Sequence, residues 1–405
     1  METANKRSKA SAAQTSGVLP PDVVWEILLR VPAWSLWHFR IIYRSWRSLL
    51  SDPSFVKAHA ARRPGFILAL AGAEDRIDVV DLSGHVVTQI NIPPAKEEGV
   101  PPLLPPPAHP GPFYLFRARK RTHVLDPDTG SVAALPFIDL EVPSWKMIYA
   151  PEPCYTLWLD MSTRHHKVLR VATLFRHGRP EQQCDVLTLG DDRRCWRRRP
   201  SPPICITSNL GAEGVIIQGF VYFMADKTFS DFIMDISRYT RDDNRRAIDL
   251  MNSVASFNLK TEKWSSSTLR GPSAIDTGTG NCRLKLAKLS NTLVMMHFDL
   301  DRPTVELWLV TDLKKSLWVK KHRVPRELIL RYPHKCIHAT TKLLMALDDE
   351  RIVFSCEVDA WTTERPRWVT RIYDSRTEAC TDVSHQLGVR GIVGVYRGSF
   401  SVFGE

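Results

Sequence analysis

The sequence predicts an α+β protein in which a small N-terminal all-α module precedes a large all-β, propeller-like domain. Near residue 65 the apolar residues change from the 3.6-residue period of amphipathic helices to short runs broken by Gly, Pro, Asp and Asn. Several runs end in an aspartate or asparagine turn, at intervals of about 45 to 70 residues that suit four-stranded propeller blades. We count six such units, and seven are possible.

The composition is that of an ordinary globular protein. The chain has 405 residues, 43% of them hydrophobic and 24% charged. No apolar run reaches about eighteen residues and no apolar leader is present, so we expect no membrane span and a cytoplasmic or nuclear location, or both. The eight cysteines include no C-x-x-C pair, which is typical of reduced, mostly buried thiols. The formal net charge of +11 would suit an acidic protein or nucleic acid.

The N-terminal part is expected to be a disordered tail followed by four short helices. Residues 1–17 are rich in Ser, Ala and Lys and have no apolar period. Pro20 favours a helix start, and apolar residues recur at helical spacing until Pro32 ends that helix. A second helix is expected after this proline, a third over residues 41–50, and a fourth that begins with Asp52 as its N-cap.

These helices hold more apolar surface than so short a segment can bury by itself, so we expect another protein to cover part of it. For Trp46, Leu49 and Phe55 the alternative is that they only form the core of the module. The residues expected to face the partner are Leu19, Pro20, Ile27, Leu28, Val31, Pro32 and Leu36.

From Phe66 onward, twelve apolar runs predict strands, and almost nothing has a helical period except short pieces between residues 230 and 252. The proline-rich segment Asn91–Pro112 is expected to be a solvent-exposed insertion, with a polyproline ligand for another domain as the alternative. The side chains expected to accept hydrogen bonds from turn amides are those of Asp81, Asp126, Asp191, Asn258, Asp312 and Asp374.

The stretch LPPDVVWEILLRVPAWSLWHFRIIYRSWRSLLSDPSFVKAH resembles an F-box. Its Leu-Pro, Asp, Glu-Ile-Leu-Leu, Ser-Leu, Phe-Arg, Ser-Trp-Arg-Ser-Leu and Asp-Pro-x-Phe elements follow in the order of that family. The strings DVLTLGDDRRCWRR, SFNLKTEKW, LWLVTDLKKSLWVKKHRV and RIYDSRTEACTDV resemble the F-box-associated β domain of plant F-box proteins. The two resemblances divide the chain into an F-box module over residues 18–63 and a substrate-recognition domain over residues 66–405.

The resemblance implies a substrate-receptor subunit of an SCF-type E3 ubiquitin ligase. The F-box would dock a Skp-type adaptor, which links it to a cullin and a RING subunit, and the β domain would capture a protein for ubiquitination and degradation. Between Leu19 and Arg63 there are seven basic and three acidic residues, a balance that suits an acidic adaptor.

The densest basic and aromatic cluster is expected to hold an acidic or phosphorylated peptide, since Arg pairs bind carboxylate and phosphate in bidentate fashion. The alternative is an ordinary solvated turn of a blade. The residues of this candidate substrate site are Arg193, Arg194, Trp196, Arg197 and Arg198.

We expect no catalytic residue, no metal and no cofactor. His334, Cys336 and His338 would share one face of a strand, but no fourth ligand stands at a suitable spacing. The alternative function is a basic nucleic-acid-binding protein or a scaffold outside any ligase. Nucleic acid is the less favoured partner because Lys and Arg are scattered and the strands carry no RNA-stacking motif.

Overall fold

A computed structural model of the chain describes two groups of residues. In the helical module these are residues 19–31, 36, 39, 44–52, 54–55 and 58–59. In the β domain they are residues 65–94, 113–136, 138, 152–176, 179–190, 195–207, 214–226, 252–275, 282–299, 302–329, 341–347, 351–358, 367–383 and 389–396.

The helical module contains helix α1 (Pro21–Leu28) and helix α2 (Arg44–Leu49). Residues 36, 39, 54–55 and 58–59 are also helical, so all four predicted helices contain helical residues. Proline at the start of α1 needs no backbone donor there. Asp52 caps the last helical segment as predicted, because its carboxylate accepts hydrogen bonds from the amide of Ser54 at 2.7 Å and from its hydroxyl at 2.5 Å.

The helices enclose a small core of their own. The Trp25 ring stands edge-on to the Phe55 ring with centroids 5.0 Å apart, and Phe39 does the same to Trp46 at 5.6 Å. Phe55 is fully buried, as the core alternative expects, whereas Trp46 and Leu49 pack on the core but are only half-buried. The fully buried members are Leu28, Leu29, Leu36, Leu50 and Phe55.

The β domain is a six-bladed propeller in which neighbouring strands are antiparallel. Of the 24 described strands, blade 1 contains β1 (Phe66–Ala71), β2 (Arg76–Val80), β3 (Val86–Asn91) and β24 (Val389–Tyr396). Blade 2 contains β4 (Tyr114–Ala118), β5 (Arg121–Asp126) and β6 (Ser131–Ala134). Blade 3 contains β7 (Cys154–Asp160), β8 (His165–Arg176), β9 (Arg179–Thr188) and β10 (Arg197–Arg199). Blade 4 contains β11 (Val215–Ile217), β12 (Phe220–Met224), β13 (Ser253–Asn258), β14 (Lys263–Trp264) and β15 (Leu269–Arg270). Blade 5 contains β16 (Cys282–Leu289), β17 (Thr292–Asp299), β18 (Thr304–Asp312) and β19 (Leu317–Pro325). Blade 6 contains β20 (Thr341–Ala346), β21 (Ile352–Val358), β22 (Arg367–Asp374) and β23 (Ala379–Asp382). A short helix, α3 (Arg326–Ile329), follows β19.

The two ends of the β domain meet in blade 1. Strand β24 pairs antiparallel with β1, with Phe66 opposite Tyr396 and Ala71 opposite Val389. The Tyr396 hydroxyl donates to the buried carboxylate of Asp128 in blade 2. These contacts close the ring with six blades, the count that the repeat predicted.

Apolar side chains fill every gap between neighbouring blades. Between blades 3 and 4, for example, Leu169 and Val186 pack in one cluster with Phe257. Similar clusters lie between blades 4 and 5, 5 and 6, 6 and 1, 1 and 2, and 2 and 3. Each sheet therefore buries both faces against its neighbours, which is how a ring of small sheets obtains a core.

The predicted turns are present wherever the structure describes them. Asn258 accepts hydrogen bonds from the amides of Lys260 at 3.0 Å and Thr261 at 2.9 Å. Asp160 makes a similar turn between β7 and β8, which the sequence analysis missed. Asp191 lies outside the described residues. The other predicted residues that accept turn amides are Asp81, Asp126, Asp312 and Asp374.

Candidate functional site

One face of the N-terminal helix leaves large apolar side chains in solvent. Leu19 is 53% exposed, Val23 42% and Ile27 45%. Their four-residue spacing places Val23 and Ile27 above one another on α1, with Leu19 just before its first turn. On the other face, Val24, Trp25 and Leu28 contact the core of the module. We call Leu19, Val23 and Ile27 the exposed α1 face.

The structure separates the residues expected to face a partner. Leu19, Pro20 and Ile27 are exposed, and Val31 is half-buried. Leu28 is 1% exposed and Leu36 0%, so the expectation that these two side chains touch the partner is corrected. They are turned toward Phe55 by the helical period and support the surface from beneath.

Pro32 lies outside the described residues. Val23 was not among the residues expected to face a partner, although its spacing of four from both Leu19 and Ile27 is a signal that could have found it.

The described part of the arginine cluster is engaged in ion pairs within the chain. On β10, the outermost strand of blade 3, Arg198 donates to Asp185 at 2.7 Å and Arg197 to Glu262 at 3.2 Å. The Trp196 indole N–H donates to the carbonyl oxygen of Pro136 at 3.2 Å. Arg197 and Arg198 thus help to neutralise buried carboxylates and fasten a strand, and they remain 42% and 63% exposed, so peptide binding by this cluster stays a prediction. Arg193 and Arg194 lie outside the described residues.

Glu262 links two blades electrostatically. It belongs to the turn between β13 and β14 of blade 4, and it accepts hydrogen bonds from Lys167 at 2.8 Å and Arg199 at 2.7 Å, both in blade 3. Lys167 also contacts Asp160 at 2.7 Å. Burial by itself would raise the pKa of Glu262, but the hydrogen bonds from Lys167 and Arg199 outweigh burial and hold the pKa below its ordinary value.

The innermost strands of the six blades surround a central cavity of about 550 Å³. These strands are β24, β4, β7, β11, β16 and β20, and residues of all six line the cavity. Among the charged side chains on its described wall, Arg117, Lys285, Lys288 and Lys342 are basic and Glu152 is acidic. Glu152 pairs with Arg117, and the other three charged side chains on the described wall are lysines.

Nothing in the described ranges suggests a metal centre. No group of three or more His, Cys, Asp or Glu side chains there could hold an ion. His334, Cys336 and His338 fall outside those ranges. Burial raises the pKa of the Cys154, Cys184 and Cys356 thiols to about 12, so these groups stay protonated.

The described cysteines are all free of disulfides. No helix within the described ranges has both the length and the apolar character to cross a bilayer.

Comparison with known proteins gives two family matches. The F-box associated beta propeller domain matches residues 112–389, and the F-box domain matches residues 18–58. The F-box protein At1g47790 of Arabidopsis thaliana is 24% identical over 343 residues, which cover 83% of this chain and 78% of that protein. The F-box protein CPR1 of the same plant is 21% identical over 350 residues, with 83% and 81% covered.

Among solved structures, the catalytic domain of Coprinopsis cinerea GH62 alpha-L-arabinofuranosidase aligns with a TM-score of 0.36 at 9% identity, over 62% of this chain and 73% of that one. A likeness so low carries no functional argument.

The matches agree with the architecture. The F-box match covers the module that carries the exposed α1 face, and the propeller match runs from just before β4 into β24. The propeller match alone spans more than half of the chain. The chain therefore belongs to the plant F-box proteins that carry an F-box associated β-propeller domain.

Proposed function

We propose that this chain is the substrate receptor of an SCF-type ubiquitin ligase, with the exposed α1 face docking a Skp-type adaptor. One observation carries the proposal. The described part of the module buries a core of its own and still leaves Leu19, Val23 and Ile27 in solvent on adjacent turns. A ridge of aliphatic side chains on one helix, outside an already filled core, is the surface that helix-in-groove binding uses.

The exposed α1 face would supply part of the free energy of adaptor binding. Burying a Val, Leu or Ile side chain contributes about 1.5–3 kcal/mol, so the three side chains together could supply several kcal/mol before the cost of association. Arg30 and Arg47 are exposed on the same module and would favour an acidic adaptor.

We assign the capture of the target protein to the β domain and propose the division into residues 1–17, 18–63 and 66–405. Supporting the assignment, the six blades form a closed ring with interlocked cores, a rigid frame on which turns can present recognition residues. The chain would contribute no catalytic group, since ubiquitin transfer is the task of the other ligase subunits. We propose that it works in the cytoplasm, the nucleus or both.

The test is a binding titration of the purified full-length chain against a plant Skp-type adaptor. Val23→Asp and Ile27→Asp should each weaken binding by about 2 kcal/mol or more, roughly thirtyfold, because each puts a charge at the centre of an apolar contact. The matched control is Val319→Asp, on an outermost strand of blade 5, where the valine is 53% exposed. The proposal fails if the unsubstituted chain does not bind the adaptor, or if the three variants bind it equally.

A further inference from the structure

We propose that the central cavity of the propeller binds a small organic anion, a molecule with a carboxylate or phosphate group on an apolar body. The site lies in the β domain, and its occupancy is independent of adaptor docking. The family matches name an F-box and a propeller domain and no small-molecule ligand, so this site goes beyond them.

The charge of the wall selects an anion. Lys285 and Lys288 lie on β16 and Lys342 lies on the neighbouring innermost strand β20, so all three lysines on the described wall belong to blades 5 and 6. The acidic side chain on the described wall, Glu152, is held by Arg117. A concave site with low-dielectric walls focuses such a field and raises the local concentration of anions.

Two of these lysines are held in place by the neighbouring blades. The Lys285 ammonium lies 3.4 Å from the carbonyl oxygen of Thr341 in blade 6, and the Lys342 ammonium lies 3.4 Å from that of Ile392 in blade 1. Both distances are at the long limit for a hydrogen bond, and an ammonium group has three donors. These contacts anchor both lysine side chains at the wall of the cavity, where a carboxylate or phosphate can approach them.

The rest of the wall suits an apolar body. Tyr114, Leu157, Val215 and Met296 line it together with the groups above. A cavity of about 550 Å³ falls within the usual range for small-molecule sites. The combination of a mostly apolar wall and a few convergent polar groups is typical of a site for one organic ligand rather than for bare phosphate.

The experiment is isothermal titration of the full-length chain with 1-naphthyl phosphate, 1-naphthoate, neutral 1-naphthol and pyrophosphate. We expect one site per chain for the two naphthyl anions. The neutral alcohol should bind at least tenfold more weakly because it lacks the charge, and pyrophosphate should bind at least tenfold more weakly because it lacks the apolar body. Equal binding of pyrophosphate and naphthyl phosphate would overturn the organic ligand, and failure of both naphthyl anions to bind would overturn the site.

Variants locate the site. Lys342→Gln and Lys288→Gln should each weaken naphthyl phosphate at least fivefold, whereas Lys263→Gln, an exposed lysine on β14, should leave its affinity unchanged. Lys288 is exposed and keeps the test valid if Lys342→Gln disturbs the packing of the blades. Equal affinity in all three variants would place the anion outside the cavity. Adaptor binding should be the same in every variant, so failure here is distinct from failure of the adaptor proposal.

Discussion

Replacement of Glu262 by Gln tests whether charge contacts hold neighbouring blades together. The Glu262 side chain is 7% exposed and faces Lys167, which is 11% exposed, together with the more exposed Arg197 and Arg199. Removing one partner of a buried ion pair costs about 3–5 kcal/mol. Here the cost is smaller, because Lys167 keeps Asp160 at 2.7 Å and the two arginines can regain water. We expect a loss of about 2 kcal/mol in the free energy of unfolding.

The chain supplies a matched control. Glu378 follows Asp374 by the same four residues that separate Glu262 from Asn258, and both glutamates have a φ of +53°. Because Glu378 is exposed, Glu378→Gln makes the same chemical change in the same kind of turn without a buried partner. Urea unfolding of the two variants at pH 7, followed by tryptophan fluorescence, compares them directly. Equal midpoints would refute the reasoning.

The same variant has a pH signature. The pKa of Glu262 is lowered in the folded chain, so its stabilising contribution is fully present above its ordinary pKa of about 4.5 and is lost as the pH falls through the lower folded value. The stability difference between the unsubstituted chain and Glu262→Gln should therefore shrink on acidification below about pH 4.5. A constant difference down to pH 3 would show that the loss comes from altered packing instead.

Three further predictions concern the closed ring and its turns. Tyr396→Phe removes the donor to the buried Asp128 carboxylate and should cost about 1–3 kcal/mol in urea unfolding, whereas an unchanged midpoint would show that the bond is not needed. Gly394→Ala would place a Cβ 2.6 Å from the Tyr114 ring, so we expect a loss of about 1–3 kcal/mol in the same assay, and no loss would mean that the ring can move aside. Asp312→Ala should cost about 1 kcal/mol because two turn amides lose their acceptor, while Asp312→Asn should restore most of it; equal losses would contradict the turn role.

Much of the architecture could be predicted because local patterns carry it. The change of apolar period near residue 65 located the boundary between helices and strands, and the side chains at Asp81 or Asn258 fixed turns through contacts only two to four residues away. The innermost strands were harder to recognise. In β16, CRLKLAKL, neighbouring residues face different blades and three of eight are basic, so no apolar run appears.

The candidate sites depended on distant partners. Ile27 and Leu28 are adjacent and equally apolar, and the packing of the later helical segments against one face of α1 decides that Leu28 is buried while Ile27 is exposed. The ion pair between Arg199 of β10 and Glu262 could not be predicted because the two residues are 63 positions apart in the sequence. Spacing along the chain reveals a helix face or a turn, whereas an ion pair between two blades can be recognised only once the fold is known.

The pairing of β24 with β1 sets the order of events during synthesis. Strand β24, which completes blade 1, is synthesised more than three hundred residues after β1. Until then β1 presents an unpaired hydrogen-bonding edge, the kind of surface that recruits chaperones or joins other nascent chains. The nascent chain therefore has an open ring until β24 pairs with β1. We expect the yield of the protein in the cell to depend on how well chaperones cover the β1 edge during that time.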